Sequence, residues 1–314
     1  MRILLAEKSS FSTHGVQALS EIAPTDALDL SQDELQDAIK DYDILVVRLG
    51  LHVDKSVLVS SERIRVVGTP TTGLDHIDLE AARERNVAVL SLKGERAFLD
   101  EVYATAEHTF ALLLSLIRQI PAAFQAVKDY TWRRDLYRGT ELYDKVLGIV
   151  GFGRLGRMVY KYGLGFGMKV LVYDPFQQTL PARVGACASL KDLLRSSDVI
   201  SLHVPLNADT QGMLSDEEFA LIRPESVLIN TSRGAIIDEA ALLRALQSKG
   251  LAGAALDVLC DEHLLDGVKT NSLIEYASNH SNLIITPHIG GATQESVEKA
   301  DLFLANKIAE FLKP

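Results

Sequence analysis

Residues 145–176 constrain the fold of this chain more than any other stretch. An apolar run at 146–150 leads into Gly151, Gly153 and Gly156, which form G-x-G-x-x-G. Leu155, Val159 and Leu164 follow at helical spacing. A second apolar run, 170–173, ends in Asp174. The order is strand, tight turn, helix, strand, acid. Gly151 permits the turn, Gly153 lets the backbone approach a pyrophosphate, and Gly156 lets the helix pack close to the sheet. The helix N-terminus adds free N–H groups and the positive end of its dipole. Asp174 stands at about the spacing, ~20 residues, at which a carboxylate binds ribose hydroxyls. A lone glycine loop also serves plain turns. Here both strands, the helix and the acid agree on a dinucleotide site.

The motif sits far from the N-terminus, and 314 residues suggest two domains. A substantial domain therefore precedes the nucleotide site. The chain is 47% hydrophobic, enough for ordinary packed cores. Its 32 Lys plus Arg against 42 Asp plus Glu give a net charge of −10. That balance argues against a nucleic-acid partner and against an anionic membrane surface. The N-terminal apolar stretch is cut off by charge and lacks a signal-peptide core. The apolar stretch 110–117 reads as a buried helix, far too short to span a bilayer. Cys187 and Cys260 show no metal or redox spacing, so no metal site and a reduced, cytoplasmic setting are expected.

Strand and helix signals alternate along the chain. Apolar strands are expected at 3–6, 43–47, 65–67 and 87–90, with helices between them at 31–40 and 79–85. A long helix is expected over 99–118. A second series follows, with strands at 146–150, 169–173, 198–202, 226–230, 252–256 and 283–286. This rhythm predicts an α/β chain of two doubly wound, Rossmann-like parallel-sheet domains with a cleft between them. The segment 292–313 reads as a terminal helix with Val297, Leu304, Ile308 and Phe311 on one face. It is expected to return to the first domain. The expected division is therefore a discontinuous, flavodoxin-like domain of 1–97 and 291–314, and a nucleotide-binding domain of 98–290.

Three strand ends after the glycine loop carry polar residues: 230–234, 257–262 and 286–291. Ligands of parallel sheets bind at the carboxyl ends of strands, so Arg233, Glu262 and His288 can converge there. A cation, an acid and an imidazole beside a dinucleotide suit hydride transfer from an alcohol. Histidine takes the hydroxyl proton near neutral pH, a carboxylate holds its tautomer, and arginine clamps a carboxylate in two-pronged fashion.

With these residues in view, the chain resembles the D-isomer-specific 2-hydroxyacid dehydrogenases, nearest to their phosphoglycerate dehydrogenase-like subgroup. The matching segments are the glycine loop, Asn230-Thr231-Ser232-Arg233-Gly234, Asp257-Val258 with Glu262, and Thr286-Pro287-His288-Ile289-Gly290-Gly291. The run 68–78 is similar to the family's substrate-domain loop, and 106–109 to the start of its hinge helix. Order and spacing match over about residues 40–314. The resemblance implies His288 as proton donor and acceptor, Glu262 as its partner, and Arg233 as anchor of the substrate carboxylate and carbonyl. It implies substrate contacts from Arg48 and from the backbone of Thr72 and Gly73. It implies NAD as cofactor, with Asp174 selecting it over NADP. Cofactor contacts are implied at Thr105, Gly151, Gly153, Arg154, Leu155, Gly156, Asp174, His203, Val204, Pro205, Thr210, Thr231, Ser232, Arg233, Asp257, His288 and Gly290. A small 2-hydroxy or 2-keto acid is the implied substrate, a 3-phosphoglycerate-like one included.

The chain departs from the family pattern in two places. His263 stands where the family often has proline, and the stretch 263–281 is longer than usual and without a clear strand. Asp261 is the alternative to Glu262 for that reason. The early loop keeps Arg48 but carries Leu49, Gly50 and Leu51 in place of the usual hydroxyls, which changes the acid that fits. Plainer readings stand beside the functional ones. Arg233 in a surface salt bridge, Glu262 on a solvated acidic face and His288 in the core are the alternatives, although the polar 230–233 run offers nothing to a core. His14, His52, His76, His108, His263 and His280 are read as structural or exposed. His203 stands between lining the adenine side and a structural role. Cys260 is read as a small loop residue. Phe124, Tyr130, Trp132, Leu136 and Tyr137 give the segment 120–143 more aromatic surface than a linker needs. A homodimer interface is expected there, the alternative being a helix folded back on its own domain. A cofactor-sensing binding protein, as in the family's co-repressor branch, is the second functional reading. Asp174 followed by Pro175, with Arg233 and His288, argues against a Rossmann methyltransferase.

Overall fold

The computed structural model describes residues 1–177, 179–262, 265 and 271–313. His263 and the first part of the 263–281 stretch lie outside the described residues, apart from Leu265. The remainder of that stretch contains a helix, Ser272–Asn279, capped by the Asn271 side chain. The chain divides into two compact units, Met1–Val102 with Ala292–Pro314, and Tyr103–Gly291.

Among the described residues, the first unit holds five parallel strands: β1 (Ile3–Leu5), β2 (Thr25–Ala27), β3 (Ile44–Val46), β4 (Val66–Gly68) and β5 (Ala88–Leu90). Their order is β2-β1-β3-β4-β5, the doubly wound order that reverses between β1 and β3. The second unit holds seven: β6 (Val146–Val150), β7 (Lys169–Tyr173), β8 (Val184–Ala186), β9 (Val199–Leu202), β10 (Val227–Asn230), β11 (Gly253–Leu256) and β12 (Leu283–Ile285). Their order is β12-β11-β10-β9-β6-β7-β8, and it reverses between β6 and β9. Central strands such as β1, β3, β9 and β10 are buried on both faces, which is why they read as continuous apolar runs. Each sheet separates two apolar clusters, one per face. Strands β2 and β8 escape the sequence reading. Both are edge strands, only partly buried, and carry Asp26 and Gly185.

The divisions fall after Val102 and Gly291 rather than after 97 and 290. Side chains account for the first shift. Phe98 stacks on Phe303 with ring centroids 4.2 Å apart, Lys307 pairs with Glu95, and the Lys299 ammonium donates to the Glu101 carbonyl at 3.3 Å. The segment 95–101 is thereby fastened to the terminal helix. The expected helix over 99–118 is two helices, Arg96–Leu99 and Ala104–Ile117. Between them the amides of Glu101 and Val102 turn back onto the Phe98 and Leu99 carbonyls. Aspartate and β-branched valine are weak helix formers at that junction. The terminal helix, Gln294–Phe311, packs against Thr13–Ile22 and buries Ala300, Leu304, Ala305 and Ile308. Phe311 is 50% exposed, so the buried stripe is rotated away from it. Asp301 lies on the buried face instead. Among the described residues, no single helix is long and apolar enough to cross a membrane.

Candidate active site

The glycine loop leaves β6 at the point where the second sheet reverses its order. Gly151 has φ +90°, and a Cβ there would come within 2.6 Å of the His203 carbonyl oxygen. Any other residue would be both strained and crowded. At Gly156 a Cβ would strike the Gly151 carbonyl, so the helix Arg154–Gly165 approaches the loop only because that side chain is missing. Gly153 faces open space, with no described atom within 4 Å of a Cβ position. Asp174, at the end of β7, accepts from the Phe152 amide at 2.7 Å and from the Phe176 amide at 2.9 Å. An open glycine at a helix N-terminus with a carboxylate fixed beside it fits the pyrophosphate and ribose of a dinucleotide. Arg154 and Leu155 open that helix.

The carboxyl ends of β11 and β12 bring Asp257, Glu262 and His288 together. His288 Nδ1 contacts the Glu262 carboxylate in a short hydrogen bond, and Leu259 N donates to the other Glu262 oxygen at 3.2 Å. Glu262, and not Asp261, is thus the partner of His288. His288 has φ +53°, a left-handed conformation that costs a non-glycine residue about 1–3 kcal/mol. The strain is held by its neighbours. His288 N donates to the Asp257 carbonyl at 2.8 Å, and the Ile289 and Gly290 amides donate to the Asp257 carboxylate at 2.9 and 2.7 Å. Thr286 and His108 complete that carboxylate's shell at 2.6 and 3.1 Å. Burial pushes the Asp257 carboxyl up, but these hydrogen bonds outweigh it and hold it below the usual carboxylate range. The Asp257 side chain thus binds the amides of residues 289 and 290 and shapes the His288 loop.

His108 is the site residue that sequence reasoning missed. Its Nε2 meets both Asp257 and the Thr286 hydroxyl at 3.1 Å. The available signal was Thr105, His108 and Thr109 at i, i+3 and i+4 at the start of a mainly apolar helix. Thr105 packs its methyl toward Gly290, 3.4 Å from that glycine's Cβ position.

The 230–234 loop is less solvent-directed than expected. Asn230 is buried and its amide donates to the Arg233 carbonyl at 2.8 Å. The hydroxyls of Thr231 and Thr109 share a buried hydrogen bond of 2.9 Å, and Ser232 donates to the Leu202 carbonyl at 2.7 Å. These three polar side chains serve the interior, which corrects the view that they offer nothing to a core. Arg233 is half-buried, and its Nη1 donates to the Ser232 carbonyl at 2.7 Å. Beyond β9, the Val204 side chain lies within 2.8 Å of the Gly151 Cβ position. Thr210 bonds back to the Pro205 carbonyl at 2.6 Å, closing the 205–210 loop on itself.

His203 is structural at its ring. Its Nε2 pairs with the Ser201 hydroxyl at 2.8 Å, its Nδ1 is buried without a hydrogen-bond partner among the described residues, and burial lowers its pKa to about 4. An unfolded chain protonates this histidine below about pH 6.5, and the native protein resists until about pH 4. Stability from this group is therefore complete above pH 6.5 and falls as the pH drops, by up to about 3 kcal/mol. Urea unfolding at about pH 7 and about pH 4.5 checks this: His203→Gln should lose less stability between the two than the unaltered protein. Cys260 is a poor nucleophile, its thiol pushed up to about 12 by burial and by Glu239. That agrees with a small loop residue.

The substrate-loop residues lie in the first unit. Thr72 is exposed and Gly73 partly so, in a loop tied by the Thr71 hydroxyl donating to the Gly73 carbonyl at 2.7 Å. Arg48 follows β3 and pairs with the buried Asp301. Leu51 is buried among the apolar residues of one sheet face, so it is not available to a substrate. Leu49 remains partly exposed.

Residues 110–290 match the model of the D-isomer specific 2-hydroxyacid dehydrogenase, NAD binding domain. The chain is 35% identical over 314 residues to D-3-phosphoglycerate dehydrogenase of Bacillus subtilis (strain 168), covering 99% of this chain and 57% of that protein. It is 37% identical over 286 residues to D-3-phosphoglycerate dehydrogenase of Sus scrofa, covering 90% and 51%. The chain thus spans about half the length of the curated relatives it matches. Among solved structures, the TT0316 protein of Thermus thermophilus superposes with a TM-score of 0.85 and 32% identity, over 97% of this chain and 94% of that one. D-Lactate dehydrogenase of Aquifex aeolicus, complexed with NAD and lactic acid, gives 0.83 and 30%, over 99% and 95%. Glycine loop, acid, arginine loop and histidine loop occur together on this fold, and the chain belongs to the D-isomer-specific 2-hydroxyacid dehydrogenase family, with residues 110–290 matching its NAD-binding domain.

Proposed function

We propose that the protein interconverts a D-2-hydroxy acid and the corresponding 2-keto acid with NAD: keto acid, NADH and a proton give hydroxy acid and NAD⁺. The observation that carries this reading is the His288–Glu262 contact, on the sheet that also bears the glycine loop. Glu262 engages Nδ1, which leaves Nε2 as the ring atom that meets the substrate oxygen. His288 returns the proton to the carbonyl oxygen during reduction and removes it during oxidation. The negative Glu262 stabilises the imidazolium between those events. Arg233 binds the substrate carboxylate and polarises the carbonyl. When bound, NAD supplies or accepts the hydride. The loop Gly151–Gly156 and Asp174 hold its pyrophosphate and adenosine ribose. Relatives named D-3-phosphoglycerate dehydrogenase and a structure named D-lactate dehydrogenase put both phosphorylated and unphosphorylated acids among the candidates.

A panel of 2-keto acids with NADH, followed at the nicotinamide absorbance, tests the reading. Turnover of any one supports it. NADH binding without turnover supports a cofactor-sensing protein instead. Asp174→Ala should weaken NAD binding and narrow the gap to NADP, because the lost carboxylate both accepts ribose hydroxyls and repels a 2′-phosphate. Titrations with both cofactors check it, and equal use of NADPH by the unaltered protein contradicts it.

The assembly proposed is a homodimer, and the setting the cytoplasm. Tyr130 is 99% and Trp132 85% exposed, with Phe124, Leu136 and Tyr143 also exposed nearby in sequence. Aromatic surface of this kind supports an isologous interface over a segment folded back on its own unit. Light scattering at micromolar concentration should give about twice 34.4 kDa. A monomer mass excludes the dimer.

A further inference from the structure

Within the second unit, the arginine loop 230–234 follows β10 and the histidine loop 286–291 follows β12, and both are bonded to the helix Ala104–Ile117. His108 serves the histidine loop. Burial acts to raise the Asp257 carboxyl, but hydrogen bonds led by that of His108 bring it below the usual carboxylate range, so near neutral pH it only accepts. Thr286 has one hydroxyl hydrogen and gives it to Asp257 Oδ1 at 2.6 Å. Both oxygens that His108 Nε2 meets at 3.1 Å are therefore acceptors, so Nε2 carries a hydrogen and shares it between them. The other described donors to that carboxylate, the Thr286 hydroxyl and the amides of Ile289 and Gly290, belong to the histidine loop itself. Among the described hydrogen bonds, the one from His108 alone reaches it from another element. The ring also flanks Gly290, with Cδ2 3.7 Å from that glycine's Cβ position.

Thr109 serves the arginine loop. Its hydroxyl donates to the Thr105 carbonyl at 2.8 Å, so toward the Thr231 hydroxyl, at 2.9 Å, it accepts. Both threonines are buried, and Thr231 stands two residues before Arg233. Successive residues of a helix point about 100° apart, which is how neighbours in sequence address loops from two different strands. The helix itself is a firm reference: Ala106, Phe110, Leu112, Leu113 and Leu116 are buried in the apolar cluster on one face of the sheet.

We propose, on the dehydrogenase reading above, that His108 and Thr109 are positioning residues: one helix sets the His288 loop through Asp257 and the Arg233 loop through Thr231. Proton transfer and substrate clamping are thereby registered against the same element. Neither side chain touches the substrate. They supply distance and direction, and a reacting group misplaced by about 1 Å costs about 10²-fold in rate. Without the His108 donor, the carboxylate keeps only bonds that move with the histidine loop, and the His288 ring loses its outside reference. Without the Thr109 hydroxyl, the Thr231 hydroxyl is buried with its acceptor gone, and the backbone leading to Arg233 shifts to satisfy it.

The test is steady-state kinetics of the full chain at saturating NADH, with the 2-keto acid it turns over fastest. His108→Leu should lower kcat by about tenfold and change KM by less than about threefold, because it disturbs the proton carrier and not the substrate clamp. His108→Gln should recover most of that loss, since its amide nitrogen donates near the place of Nε2. Thr109→Val should raise KM and lower kcat together, each by about threefold or more, and Thr109→Ser should restore both. A merely structural role predicts the same kinetic pattern at both positions and no rescue by the conservative variants. Either of those results in folded proteins overturns the proposal, as does near-normal kinetics in His108→Leu or Thr109→Val. If the apolar variants do not fold, His108→Asn against His108→Gln decides: the shorter amide falls short of Asp257, so kcat should drop for Asn and not for Gln, and equal rates overturn the proposal. Turnover by the unaltered protein with no effect in the variants removes this proposal alone. NADH binding without turnover of any 2-keto acid removes the dehydrogenase reading and this proposal with it.

Discussion

His288→Ala lowers turnover by about 10²–10⁴-fold, the usual range for removing a general acid–base, and leaves NADH affinity nearly intact. The side chain is well placed for so large an effect. Its Nδ1 is fixed by Glu262 and its backbone is held in a left-handed conformation by the Asp257 carbonyl and carboxylate. The ring is thus held in one orientation with a carboxylate at its Nδ1, the arrangement a general acid–base needs. Alanine removes the proton carrier and leaves Glu262 without its partner. The loop itself stays anchored, because the Asp257 contacts run through backbone amides of His288, Ile289 and Gly290. NADH affinity is read by fluorescence titration and turnover from initial rates on the same preparation. Glu262→Gln should fall between the two, since an amide can hold the ring but offers no charge to the imidazolium. Near-normal turnover in His288→Ala removes the catalytic assignment and favours the cofactor-sensing reading.

The parts that the sequence made legible share one property: they depend on neighbours in the chain. The glycine loop, its helix and Asp174 lie within one strand–helix–strand unit, so spacing alone exposes them. Strands buried on both faces show as apolar runs for the same reason. The edge strands β2 and β8 do not, because half of each faces outward and sequence alone does not reveal the pairing. The site follows the same rule. Arg233, Glu262 and His288 stand out as polar residues at strand ends. His108 did not, because its meaning comes from Asp257, 149 positions away. Asp301 was hidden further, on the buried stripe of a terminal helix and 253 positions from Arg48. A lone buried carboxylate is costly, and the distant arginine and Ser12 help make it tenable. Asp257 was legible as important, but its bonds to the amides of the His288 loop, 32 and 33 positions away, were not.

Arg233→Lys should lower kcat/KM by about 10²-fold, raising KM and reducing kcat together. The loop survives the change. Asn230 holds the carbonyl of residue 233 and Ser232 is bonded to the end of β9, and neither contact uses the Arg233 side chain. Backbone at residue 233 is extended, a conformation lysine adopts without strain. What is lost is the planar fork. A guanidinium can meet two substrate oxygens at once and donate toward the carbonyl as charge builds on it. An ammonium on a flexible stem keeps the charge but fixes neither the distance nor the direction. If the arginine served only to attract an anion, lysine would raise KM and leave kcat alone. A fall in kcat alongside KM therefore marks orientation of the carbonyl for hydride transfer, since only interactions stronger in the transition state than in the bound substrate reduce kcat when removed. Unfolding free energies of the two proteins should agree within about 1 kcal/mol, as for a substitution outside the core. Steady-state kinetics with a 2-keto acid, at NADH saturation, separates the cases: an unchanged kcat leaves Arg233 as a binding residue only.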